Sequence, residues 1–74
     1  MNKETELKIG KNIKIARESI GMTQDTLATK LQLKGCDITR SAIAKIEVGQ
    51  RHLYVDEIIL IKEILDVSFD ELLK

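Results

Sequence analysis

Arg40, Ser41, Ala44 and Lys45 are the residues of this chain whose types and spacing could do recognition chemistry. At about 100° per residue they fall on one side of a helix, while Ile43 and Ile46 point to the other. Arginine brings a forked donor, serine a hydroxyl and lysine a mobile cation, and alanine adds little bulk between them. That set can donate to base edges or phosphates and lets the backbone approach the surface it reads. Thr39 is placed to cap the start of this helix, and Gly49 to end it in the left-handed conformation. An ordinary amphipathic helix with a solvated polar face has the same composition, so this window alone leaves both readings open.

Other chemistries find little material. Cys36 is the only cysteine and His52 the only histidine, so no metal set forms and no disulfide is available. No nucleophile–base pair, no carboxylate pair in an evident cleft and no glycine-rich phosphate loop is visible, so the expectation is no enzyme, no cofactor and no small-molecule ligand. Cys36 reads as an ordinary thiol in a reducing, cytoplasmic setting. Lys3, Glu4, Glu6 and Lys8 occupy the N-terminus where a signal peptide would be apolar. The apolar run Ile58 to Ile61 is far too short to span a bilayer, and no membrane partner is expected. Tyr54 and Phe69 are the only aromatics, too few for a single-strand stacking platform.

The formal net charge is zero, but it is unevenly spread. Through Tyr54 there are ten Lys/Arg against six Asp/Glu, and from Val55 onward two against six. A front of +4 and a rear of −4 suits an anionic partner that approaches from one side.

The elements that must position these residues read as five helices in a single domain spanning residues 1–74. The first covers about Thr5 to Ile20, with Ile9, Ile13, Ala16 and Ile20 as its stripe. Gly21 ends it and Met22 folds back. Thr23 caps the second, whose stripe is Leu27, Ala28 and Leu31, and which runs on through Leu33 to a stop at Gly35. The helix around Arg40 is the third, and Ile38 drops into the core before it. The fourth spans about Val55 to Leu65, and its apolar residues cover more than one face, which makes part of it a candidate partner surface. Ser68 caps a short fifth helix carrying Phe69, Leu72 and Leu73, with Glu71 placed for a capping box.

Taken together, IARESIGMTQDTLATKL (residues 15–31), ITRSAIAKIEVGQR (38–51) and ILDVSFDELL (64–73) resemble the Cro/repressor, or XRE-type, helix-turn-helix family. The resemblance runs from about Ile9 to Leu73 and implies an all-α, five-helix, lambda-repressor-like bundle in which helices two and three form the helix-turn-helix. It further implies that helix three enters the DNA major groove while the start of helix two meets the backbone. Carried over by position, Arg40, Ser41, Ala44 and Lys45 are the base-reading residues, Arg40 foremost through a bidentate grip on guanine. Val48 either touches a thymine methyl or makes no contact. Gln24, Thr39, Gln50 and Arg51 are backbone contacts, Thr39 equally well only a cap. Arg17 and Glu47 are a structural ion pair tying helix one to helix three. The chain departs from the family between Leu31 and Thr39, where it carries about five extra residues, Gln32 to Cys36. These either lengthen helix two or shift how helix three leans on it, and Lys34 among them is a further candidate phosphate contact.

The function expected is sequence-specific recognition of double-stranded DNA by a transcriptional regulator, a repressor foremost. It would act as a homodimer on a palindromic operator, paired through Leu60, Ile64, Phe69 and Leu73. The alternative is a protein-interaction module on the same fold that has lost DNA binding. Ion pairing of Arg40 and Lys45 with Asp25 or Asp37 would favour that alternative, and a free basic rim would favour DNA.

Overall fold

Asn2 opens the first helix: its side-chain oxygen accepts the Thr5 backbone N–H at 2.7 Å, and α1 runs Lys3–Ser19. The computed structural model describes residues 1–74. Ile9 and Ile13 are buried on α1, but Ile20 leaves the expected stripe. It is the C-cap and stands exposed, because the chain turns away from the helical path at Gly21 (φ +69°). The Met22 N–H returns to the Arg17 carbonyl at 3.0 Å, and Met22 covers the core in place of Ile20.

Thr23 caps α2 (Gln24–Leu33) by accepting the Thr26 N–H, and Leu27, Ala28 and Leu31 are buried. Thr39 caps α3 (Arg40–Glu47) in the same way through the Ala42 N–H, and Ile43 and Ile46 are buried beneath it. The extra residues between the two helices lengthen α2 to Leu33 and then turn. Gly35 takes φ +84°, the Cys36 N–H bonds the Leu31 carbonyl at 2.9 Å, and Gln32 Nε2 donates to the Ile38 carbonyl at 2.8 Å. Ile38 is buried and α3 still packs on α2. The insertion is therefore absorbed as helix and turn.

The fourth helix, α4, spans Val55–Leu65, and Glu57 reaches back to accept the Tyr54 N–H at 3.1 Å. It ends at Asp66, a left-handed residue other than glycine (φ 55°). The fifth, α5 (Phe69–Leu73), is capped by Ser68, which accepts the Glu71 N–H. Asn12 on α1 donates to the carbonyls of both Leu72 (2.8 Å) and Lys74 (3.0 Å), clamping the end of α5 to α1. Helix α1 packs against α3 and α5, and α2 against α3 and α4, enclosing one core of thirteen buried apolar residues. There are five helices and no strands, and no helix is long and apolar enough to cross a membrane.

The crossing of α1 and α3 depends on Gly10. A Cβ there would collide with the Ile46 carbonyl oxygen and lie 3.2 Å from the Glu47 Cα. Its lack of a side chain lets α3 seat directly on α1.

Candidate nucleic-acid interface

The outward side of α3 is held from behind by a buried polar network. Arg17 meets Glu47 in a two-pronged pair, Nε to Oε2 at 2.8 Å and Nη2 to Oε1 at 3.0 Å. The third arm of the guanidinium, Nη1, donates to the Met22 carbonyl at 2.8 Å. Gln24 Nε2 donates to Glu47 Oε1 at 3.0 Å, so one carboxylate joins α1, α2 and α3. The side chains of Arg17 and Glu47 are 8% and 2% exposed, which excludes water from the pair. The hydrogen bonds that Arg17 donates to Glu47 outweigh burial and hold its guanidinium above its already high pKa, so it stays charged.

In front of this network, Arg40, Ser41 and Lys45 are exposed and Ala44 is half-buried between them. The ion pairs of the molecule are Arg17–Glu47, Lys34–Glu63, Arg51–Glu57 and His52–Glu6. Arg40 and Lys45 belong to none of them. Asp25 lines a shallow hollow with Gln24 and Arg40 at the starts of α2 and α3, yet does not pair with Arg40. The basic rim of α3 is therefore not neutralised from within the chain.

The flanking residues divide. Thr39 is exposed with its hydroxyl engaged as a cap acceptor, and Gln50 is exposed just past the end of α3. Gln24 spends one amide hydrogen on Glu47 and keeps the other, since an amide NH₂ carries two donors. Arg51 is drawn inward instead. Its terminal nitrogens grip Glu57 at 2.9 and 3.0 Å, Nη1 also donates to the His52 carbonyl, and the guanidinium lies 5.9 Å from the Tyr54 ring centroid. A half-buried guanidinium this close to a buried carboxylate gains more there than in water. Lys34 sits on the α2–α4 side, its Nζ 4.0 Å from Glu63, in a hollow shared with Lys30, Leu33 and Ile64.

Two buried glutamates were not visible as such in the sequence. Glu57 is tied by Arg51 and Tyr54, and its position in the first turn of α4 is the one place where a helix-start rule could have singled it out. Glu6, on α1, accepts the Leu53 N–H at 2.9 Å and faces His52 Nδ1 at 3.1 Å, forty-six residues along the chain. No local signal marks such a contact. Cys36 is half-buried, and burial together with the nearby Glu57 and Asp56 carboxylates pushes its thiol pKa up, away from nucleophilic use. On the far side, Leu60 and Ile64 are half-buried against the core, while Phe69 and Leu73 are exposed, with Lys62 5.2 Å from the Phe69 ring centroid.

A helix-turn-helix family model matches residues 13–72 of the chain. No curated protein matches it in sequence. Among solved structures, the chain is similar to one described as the crystal structure of the DNA-binding domain of BldD, with a TM-score of 0.81 and 20% identity over the full length of both chains. At that identity the likeness is one of fold.

Proposed function

The chain belongs to the XRE-type helix-turn-helix family, and on that premise we propose that it is a sequence-specific, double-stranded-DNA-binding transcriptional regulator, a repressor acting in the cytoplasm as a homodimer on a palindromic operator. The observation that carries this reading is the exposed, unpaired cation pair Arg40 and Lys45 on a helix face braced from behind by the Arg17–Glu47–Gln24 network. Residues 1–74 act as one DNA-binding domain. Arg40, Ser41 and Lys45 read base edges, Arg40 by the bidentate geometry that fits guanine, and Ala44 permits close approach. Gln24, through its free amide hydrogen, Thr39 and Gln50 meet the backbone. The charges of Arg51 and Lys34 support this from positions where each already has a carboxylate partner. One module of this size has little contact surface, and two-fold pairing is the usual route to useful affinity.

The test is selection from a random double-stranded oligonucleotide pool at about 150 mM salt, where non-specific phosphate binding is weakened. Enrichment of an inverted repeat, lost in Arg40→Ala, is the expected outcome. A folded protein that enriches nothing would sink the DNA reading and turn attention to protein partners of α4.

A further inference from the structure

The outward face of α3 carries one large apolar side chain. Val48 caps the C-terminal end of the helix and is 55% exposed. At about 100° per residue it projects between Arg40 and Lys45, near the middle of the sector that Ser41 and Ala44 also occupy. Single exposed hydrophobes are ordinary on a protein surface. This one stands at the C-terminal end of the basic face of α3, within the same angular sector, and can donate no hydrogen bond. It is also well supported. Leu7 on α1 packs beneath the neighbouring Gly49, where a Cβ would lie 3.0 Å from Leu7 Cδ1, and the turn is closed by the Gln50 N–H on the Lys45 carbonyl at 2.8 Å. Val48 therefore stands on a firm step and not on a fraying end.

We propose that Val48 is a specificity-determining residue that packs against the 5-methyl group of a thymine in the major groove. The proposal rests on the DNA-binding reading above and deepens it. An aliphatic side chain on a donor-bearing face complements one feature of the base edges, and that feature is the thymine methyl. From Arg40 to Val48 the helix advances about 12 Å at 1.5 Å per residue, or three to four base steps. Contact at both ends requires α3 to lie along the groove instead of entering it end-on. Arg40 then reads one end of the half-site and Val48 a thymine at the other.

The experiment uses the full chain and the sequence enriched by pool selection. Each thymine is replaced singly by deoxyuridine, which removes the methyl and leaves base pairing intact, and affinity is measured by fluorescence anisotropy for wild type and Val48→Ala. One thymine per half-site is expected to lose about fourfold in affinity on methyl removal in the wild type, the value of one buried methyl. In Val48→Ala that site is expected to be indifferent to the replacement, while guanine preference at the Arg40 end persists. Indifference of the wild type to every replacement, or an effect that survives in Val48→Ala, overturns the assignment of Val48 and leaves the DNA reading standing. Failure of the pool to yield any enriched sequence overturns both.

Discussion

At the residue scale the molecule depends on two features, a buried carboxylate and a glycine at the crossing of α1 and α3. Glu47 accepts from Arg17 twice and from Gln24 once, and its side chain is almost fully enclosed. Removing one partner leaves a buried charge unpaired. Arg17→Ala and Glu47→Ala are each expected to cost about 3–5 kcal/mol in urea unfolding, a large share of the stability of so small a domain. The double variant should cost clearly less than the sum of the two, since neither charge is then stranded. Additive losses would show the pair to be energetically idle. Gly10 is the second feature. Gly10→Ala puts a methyl into the Ile46 carbonyl oxygen, and backbone cannot yield as a side-chain tip can. A loss of about 2–3 kcal/mol is expected from this overpacking, measured by thermal or urea unfolding. Gly21→Ala, with open space around it but φ at +69°, should pay only backbone strain of about 1 kcal/mol.

At the element scale, two glutamates fasten the α3–α4 loop. Glu6 joins it to α1 and Glu57 joins it to the first turn of α4. The Leu53 N–H, helped by His52, holds the Glu6 carboxyl below the usual carboxylate range. Burial pushes Glu57 up, but Arg51 and the Tyr54 N–H more than reverse this and leave it low as well. A carboxyl whose pKa is depressed by folding adds stability above its unfolded pKa and loses it as pH falls through the folded one. Thermal midpoints should thus be insensitive to these groups from pH 7 to 5 and decline below about pH 4. The Glu6→Gln/Glu57→Gln variant should start lower at pH 7 and decline less. An equally steep acid decline in that variant would show that other carboxyls carry the dependence.

At the scale of the whole molecule, zero net charge conceals how the charges are used. Arg17 and Arg51 serve internal carboxylates, whereas Arg40 and Lys45 remain free on one face. On another, α5 presents Phe69 and Leu73, 42% and 48% exposed and one helical turn apart. Sedimentation at tens of micromolar is expected to show a dimer, and Phe69→Ser/Leu73→Ser a folded monomer with weaker operator binding. A wild type that sediments only as the 8.4 kDa monomer, with and without operator DNA, would remove the homodimer from the reading.

Local rules made the helices legible. Thr23, Thr39 and Ser68 cap where a hydroxyl must accept an orphan N–H, and Gly21, Gly35 and Gly49 turn where φ must be positive. These rules act over three or four residues, so the sequence by itself determined an all-α chain of five helices. It also determined the membership of the outer face of α3, because helical periodicity is a property of neighbours. Tertiary structure decided the rest. Ile20 left its stripe once the chain turned at Gly21, and the residues after Leu31 became helix and turn because Gln32 and Cys36 found partners there. Arg51 turned inward to Glu57, and Glu6 met a backbone amide far along the chain. The last of these depends on which groups the packing brings within about 3 Å, at a separation of forty-seven residues that no local pattern encodes. A charged residue looks the same in sequence whether it faces solvent, a phosphate or a buried carboxylate. The family resemblance already set Arg17 apart as the partner of Glu47, whereas only packing separated Arg40, left free, from Arg51, which turns inward to Glu57.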